Sequence, residues 1–300
     1  MPKDGIMEVT MANTREIRSR IKGIQDIMKI TNAMYLISSS KLKKARKSLQ
    51  ATLPYFETLQ STIYDILVRA PHISSVYFHR REKIKQEDRK KGYLVITADK
   101  GLAGAYNHNI IRKAEEEMKL GGNNSLFVVG QVGRQYFIRK VVAVDCEFLY
   151  TAQNPTLLRA QNISMTLIDL FVTKQLDDVY VIYTKMITPM RAEVQQVKLL
   201  PLERKKFERK ASGYSHALFD PSPEIVMEQL VPNYLKGLIF GVLVESFSSE
   251  QNARMSAMEA ATKSAKDMLK SLELQYNRAR QASITQEITE IVSGAKSHKK

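Results

Sequence analysis

The stretch NYLKGLIFGVLVESFSSEQNARMSAMEAATKSAKDMLKSLELQYNRARQASITQEITEIV, from Asn233 to Val292, decides how this chain must be built. No proline follows Pro232, and glycine is absent between Gly241 and Gly294. The stretch reads as one helix, which at ~1.5 Å rise per residue is roughly 90 Å long. A compact globule of this chain length has a radius of gyration of only ~19 Å. Such a helix has to project, bend, or find another helix. Its apolar and small residues fall at Met255, Met258, Thr262, Ala265, Leu269, Leu272, Tyr276, Ala279 and Ser283, alternating three and four apart. That is a heptad seam, and its small members let a facing helix approach closely.

A matching seam lies at the other end of the chain. After a cap at Asn13 or Thr14, with Glu16 in the first turn, come Ile17, Ile21, Ile24, Met28, Thr31, Tyr35, Ser38, Leu42, Ala45 and Leu49. A second stripe of Ile27, Ile30, Met34 and Ile37 widens the apolar surface, so this helix is expected to touch more than one partner. Pro54 should kink or interrupt it before it continues to about residue 70. Two long helices at the two ends most simply pair as an antiparallel coiled coil. The 3.5-residue period predicts a left-handed supercoil.

The middle of the chain changes period. YLVIT (Tyr93 to Thr97), SLFVVG (Ser125 to Gly130) and VYVIYTK (Val179 to Lys185) read as buried strands. Val141 to Val144 is a further candidate strand, and Ala192 to Leu199 an edge strand. Helical stretches over 105–120, 131–139 and 156–174 alternate with them, which implies a small, mostly parallel, doubly wound α/β sheet. The expected organisation is a flexible tail at 1–13, a helix over 14–70, and a charged, exposed linker at 71–91. An α/β domain over 92–201, a basic connector at 202–222, the second long helix over 223–295 and a tail at 296–300 complete it.

Composition narrows the function. The hydrophobic fraction is 44%, and no run of about 18 apolar residues suggests a membrane span. The N-terminal MPKDGIMEVTMANTREIRSR has no apolar core of a signal peptide and is acidic for a transit peptide. Cys146 is alone, which excludes an intramolecular disulfide and a multi-cysteine metal site. The net charge of +15 implies an acidic partner, a nucleic acid or an anionic surface. It is concentrated at Lys41 to Lys47, Arg80 to Lys91 and Arg204 to Lys210.

No catalytic motif emerges. Gly101 to Gly104 and Gly130 to Gly133 follow strands, but neither completes GxGxxG or GxxxxGK[ST]. The histidines at 72, 79, 108, 216 and 298 have no ligand spacing, no GxSxG occurs, and Cys146 has no assignable base. No cofactor or metal is expected. A basic coiled-coil nucleic-acid-binding protein is the alternative. It lacks a zinc finger, an RNP motif, a basic region before a zipper, and any tryptophan for base stacking.

The wording of both ends is nonetheless familiar. Arg15 to Ala45 (REIRSRIKGIQDIMKITNAMYLISSSKLKKA) resembles the N-terminal helix of the gamma subunit of rotary ATP synthases. Ala253 to Ala295 resembles that family's C-terminal helix more closely still, and ITADKGLAGAYNHNI (Ile96 to Ile110) looks like the start of its central domain. The resemblance runs from Met11 to Ala295 and lacks the cysteine-bearing insertion of chloroplast forms.

The resemblance implies an antiparallel coiled coil with an inserted Rossmann-like domain, acting as a non-catalytic rotor shaft. Proton flow through a ring of c subunits would turn it within a hexamer of alpha and beta subunits, with epsilon and delta as further partners. It implies a bacterial complex on the cytoplasmic side of the cell membrane, with membrane association only through that complex. Carried over by motif, polar contacts with the hexamer are expected at Lys29, Met34, Arg254, Arg280, Gln281 and Thr285. The apolar row Ile284, Ile288, Ile291 and Val292 is expected to seat the tip in an apolar bearing.

Overall fold

A computed structural model describes residues 4–79, 81, 84–85, 88–119, 123–140, 142, 144–148, 151–188, 190–207 and 219–297. In chain order these form α1 (Asp4–Arg69), β1 (Lys90–Ile96), α2 (Tyr106–Lys119), β2 (Asn123–Val129) and α3 (Gln131–Arg139). There follow β3 (Cys146–Phe148), α4 (Leu157–Val172), β4 (Asp178–Thr188), β5 (Arg191–Leu200) and α5 (Pro223–Ser297). The chain divides into two compact units, one of residues 1–37 with 255–300 and the other of residues 38–254.

In the larger unit the sheet order is β3-β2-β1-β4-β5. β1 pairs in parallel with both β2 and β4, β2 with β3, and only the edge strand β5 runs antiparallel. Side chains alternate across the sheet. Leu94, Ile96, Phe127, Val129, Val179 and Val181 face one core. It also takes in Ala160, Ile163, Leu167 and Phe171 of α4, Ile63 and Ile66 of α1, and Met227, Val231, Leu235 and Ile239 of α5. Tyr93, Val95, Leu126, Val128 and Ile182 face the other core, with Ile110, Ile111 and Ala114 of α2 and Phe137 of α3. Burial on both faces is why these strands read as continuous apolar runs.

The interruption expected at Pro54 is corrected, while the second long helix runs through Pro232 as expected. α1 continues through Pro54, and α5 starts at Pro223 and continues through Pro232. A proline inside a helix costs about 3 kcal/mol, and packing offsets it here. Phe56 lies against Gly237, where a Cβ would come within 2.0 Å of the ring, and Val231 and Leu235 are buried beside Pro232. α1 also begins at Asp4, well before the cap expected at Asn13 or Thr14. The third strand is β3 and not Val141 to Val144. Val141 and Ala143 fall outside the described residues, while Val142 and Val144 pack on the α2–α3 face. Asp145 holds the approach to β3 by exchanging backbone and side-chain bonds with Leu126.

The segment expected to be an exposed linker is in good part tied down. Ile73 and Tyr77 are buried. Arg81 donates to the Leu176 and Phe171 carbonyls and to Asp177 Oδ1 at 2.6 Å, and its guanidinium sits 4.7 Å from the Phe171 ring centroid. Arg89 and Lys198 pair with Asp178. Burial alone would raise the Asp177 carboxyl, but the Lys90 N–H and the Arg81 guanidinium overcome it and hold the group below its ordinary range. Arg204 of the basic connector donates to the Pro71 and Ile73 carbonyls.

α5 contains a stretch long and apolar enough, by length and composition, to cross a membrane. Of that stretch 56% is buried in the structure, as in a core helix.

In the smaller unit the two seams meet. Thr31 and Thr262 share a hydroxyl hydrogen bond of 2.8 Å, and the Arg18 guanidinium lies 5.9 Å from the Tyr276 ring centroid. Advancing along α1 from 18 to 31 means retreating along α5 from 276 to 262, so the pair is antiparallel. Ile17, Thr31, Met258 and Ala265 are buried, and the remaining expected seam positions of this unit are half-buried.

Candidate partner-binding surface

A two-helix pair has one seam to bury, and everything off that seam faces outward. On α1 this leaves Ile27, Ile30, Leu36 and Ile37 exposed, Ile30 by 59%. Met34 is half-buried at the edge of the seam, and Lys29 is exposed and paired with Asp26 at 3.0 Å. On the last turns of α5, Ile284, Ile288, Ile291 and Val292 are exposed, Ile288 by 57%. Gln281, Ile284, Thr285 and Ile288 share one helical face by their spacing of three and four. Arg280, Gln281 and Thr285 are all exposed. Contiguous exposed apolar surface at helical spacing marks a binding face.

Arg254 is the exception among the expected contact residues. It is only 8% exposed and belongs to the larger unit. Its guanidinium pairs with Glu250 at 2.5 Å and donates to the Lys100 and Gly101 carbonyls at 3.3 and 3.1 Å. The donors expected to grip a partner are thus occupied within the chain. Burial raises the Glu250 carboxyl, and the Arg254 charge works against that rise. The sequence reading passed over Glu250, although a run of polar residues, Ser248 to Gln251, interrupts an apolar helix there.

The glycines after β2 serve packing, whereas Gly101 and Gly104 after β1 have open space where a Cβ would lie. Gly130 has a φ of 96°, and a Cβ there would lie 2.3 Å from the Thr97 carbonyl oxygen. Asp99, at the end of β1, accepts from the backbone N–H groups of Gln131 and Gln153, each at 3.0 Å. A cavity of about 490 Å³ is lined by Lys41, Lys44, Ser48, Thr52, Gln153, Phe240 and their neighbours. Its lining has no carboxylate, histidine or cysteine, so it holds no acid–base pair. Among the described residues, no cluster of three His, Cys, Asp or Glu side chains has metal-binding geometry.

A protein-family model described as ATP synthase matches residues 13–297. The chain is 47% identical over 299 residues to the ATP synthase gamma chain of Acetivibrio thermocellus, covering 96% of this chain and 100% of that one. It is 47% identical over 289 residues to the ATP synthase gamma chain of Ruminiclostridium cellulolyticum, covering 94% and 98%. Among solved structures, its fold is similar to a chain of the Euglena gracilis mitochondrial ATP synthase, determined as OSCP, F1 and c-ring. The TM-score is 0.66 at 14% identity, covering 96% of this chain and 95% of that one. Nothing in these likenesses supports the nucleic-acid alternative.

Proposed function

The chain belongs to the ATP synthase gamma-chain family, and from that premise we propose that it is the rotor shaft that couples proton flow to ATP synthesis or hydrolysis. The observation that carries this reading is the helix pair, whose seam buries little and whose outer faces leave Ile27, Ile30, Ile37, Ile284, Ile288, Ile291 and Val292 uncovered. A surface of that kind marks a site for a partner to cover.

In this reading the pair occupies the axis of a hexamer of alpha and beta subunits, and the α/β domain meets epsilon and the ring of c subunits. Delta completes the set of partners. The shaft does no chemistry of its own; bond making and breaking belong to the beta subunits. A coupling element needs only contacts that differ between the states it selects. An asymmetric helix pair turning inside three beta sites offers each site a different face at any instant. Arg280 and Gln281 supply directional contacts, because a planar guanidinium pairs bidentately with a carboxylate. Lys29, Met34 and Thr285 add to them, and the apolar row at 284–292 seats the tip. Arg254 has its donors filled by Glu250 and two carbonyls, so it is left out of this set. The complex lies on the cytoplasmic face of a bacterial membrane, and this chain is held there through its partners.

Tagged chain recovered from native membranes should bring down a complex with ATPase activity. Recovery of the chain alone as a stable monomer, or with DNA or RNA, would refute the rotor reading. Within that complex, replacing Arg280 and Gln281 together should lower ATP-driven proton pumping. Unchanged pumping would remove both residues from the contact set.

A further inference from the structure

The buried part of α5 changes character along its length. From Met227 to Leu243 its inward side chains are apolar: Met227, Val231, Leu235, Ile239, Phe240 and Leu243. From Glu245 to Arg254 the buried side chains are mostly polar, namely Ser246, Ser248, Ser249, Glu250, Gln251 and Arg254. Each end of that polar run is bonded to a different element. Glu245 Oε1 accepts from the Met186 N–H at 3.0 Å, and Ser249 Oγ donates to the Thr184 carbonyl at 3.0 Å, both on β4. Ser246 Oγ shares a 2.7 Å hydrogen bond with Tyr106 Oη at the start of α2. Arg254, braced by Glu250, donates to the carbonyls of Lys100 and Gly101 in the loop after β1. That loop is itself anchored, since Asp99 holds Gln131 and Gln153, and the Ala98 N–H donates to Asn107 Oδ1.

Apolar burial holds two surfaces together but is non-directional, so it resists twisting weakly. A hydrogen bond needs both its length and its angle, and a buried donor or acceptor pulled off its partner loses all of it. A helix bonded to β4, α2 and the β1 loop within three turns is therefore fixed in rotation about its own axis.

We propose that residues 245–254 of α5 are a torsional lock, and that Glu250 and Arg254 are positioning residues that carry torque between this helix and the α/β domain. The proposal rests on the rotor reading for its purpose, but its structural core concerns this chain alone. Arg254 then acts through the loop at 100–101, not by touching a partner subunit.

The test uses the full chain, first alone and then in the assembled complex. Arg254→Met keeps much of the stem and removes the fork. In the isolated chain it should speed amide hydrogen exchange at Ala98, Tyr106 and Gln131, whose N–H groups are bonded within or onto the loop after β1, by about tenfold, as expected for a local opening. Arg254→Lys, which keeps the charge and reaches fewer acceptors, should fall between. In the complex, protons pumped per ATP hydrolysed should drop in the same order, Met below Lys below wild type. If Arg254→Met fails to fold, the pair Tyr106→Phe and Ser249→Ala removes two other bonds with little change of volume, and should loosen the ends of β4 and α2 in the same assay. Exchange at those three amides unchanged in the isolated Arg254→Met chain, or over β4 and α2 in the second variant, overturns the lock. That result holds even if pumping falls, because Arg254 would then act on a partner. A wild-type chain that never joins an ATPase complex would instead overturn the rotor reading and leave the exchange result standing.

Discussion

The two compact units use one physical rule with opposite results. In the unit of residues 38–254, helices from both ends of the chain pack on a sheet, and α5 is buried almost all round from Leu238 to Gln251. In the unit of residues 1–37 and 255–300, the same helix buries only Met258 and Ala265 and leaves its other seam positions half-buried. The apolar content does not vanish there; it is turned outward at Ile284, Ile288 and Ile291. The contrast teaches that exposed isoleucines in the helix pair are not leftover core. A chain able to bury Ile239 and Phe247 has placed Ile288 outside, on the surface proposed above for a partner subunit.

The sharpest way to break that contrast is to truncate one residue of each kind. Ile239→Ala leaves a cavity in a fully packed core and should cost about 4 kcal/mol, read as a lower urea midpoint of the isolated chain. A cost near zero would show that the larger unit is loosely packed and the contrast false.

The Asp177 pair probes the same unit through charge. Asp177→Ala leaves the Arg81 guanidinium buried without its carboxylate and should cost about 3 kcal/mol. Because the folded carboxyl titrates below its ordinary range, its stabilisation is complete above the unfolded value of about 3.9 and fades as pH falls below it. Urea midpoints of wild type and variant should therefore converge on acidification. A constant gap down to the acid transition would show that the carboxylate charge contributes nothing.

Ile288→Ser should be the mildest change for the isolated chain, within about 0.5 kcal/mol. Its effect should appear as reduced self-association on size-exclusion chromatography and weaker assembly with alpha and beta subunits. A large loss of stability would mean that Ile288 is core after all.

Much of this was legible in sequence because periodicity reports burial directly. The seam expected from Ile17 to Tyr35 and from Met255 to Ser283 coincides with the buried and half-buried positions of the helix pair. The strands at 93–97, 125–130 and 179–185 were legible for the same reason. Other features depend on who sits opposite, which periodicity cannot report. Pro54 read as a break because the packing of Phe56 on Gly237 has no local signature. Arg81 and Arg89 read as solvated linker charges because their acids lie almost a hundred residues away, at Asp177 and Asp178. Arg254 was read as an outward grip for the same reason: Lys100 and Gly101 offer it backbone carbonyls, which carry no side-chain identity.

The seam built on Thr31, Thr262 and Ala265 makes the helix pair slender, since small residues bring the two backbones close. Bending stiffness rises steeply with thickness, so a slender pair is a compliant spring.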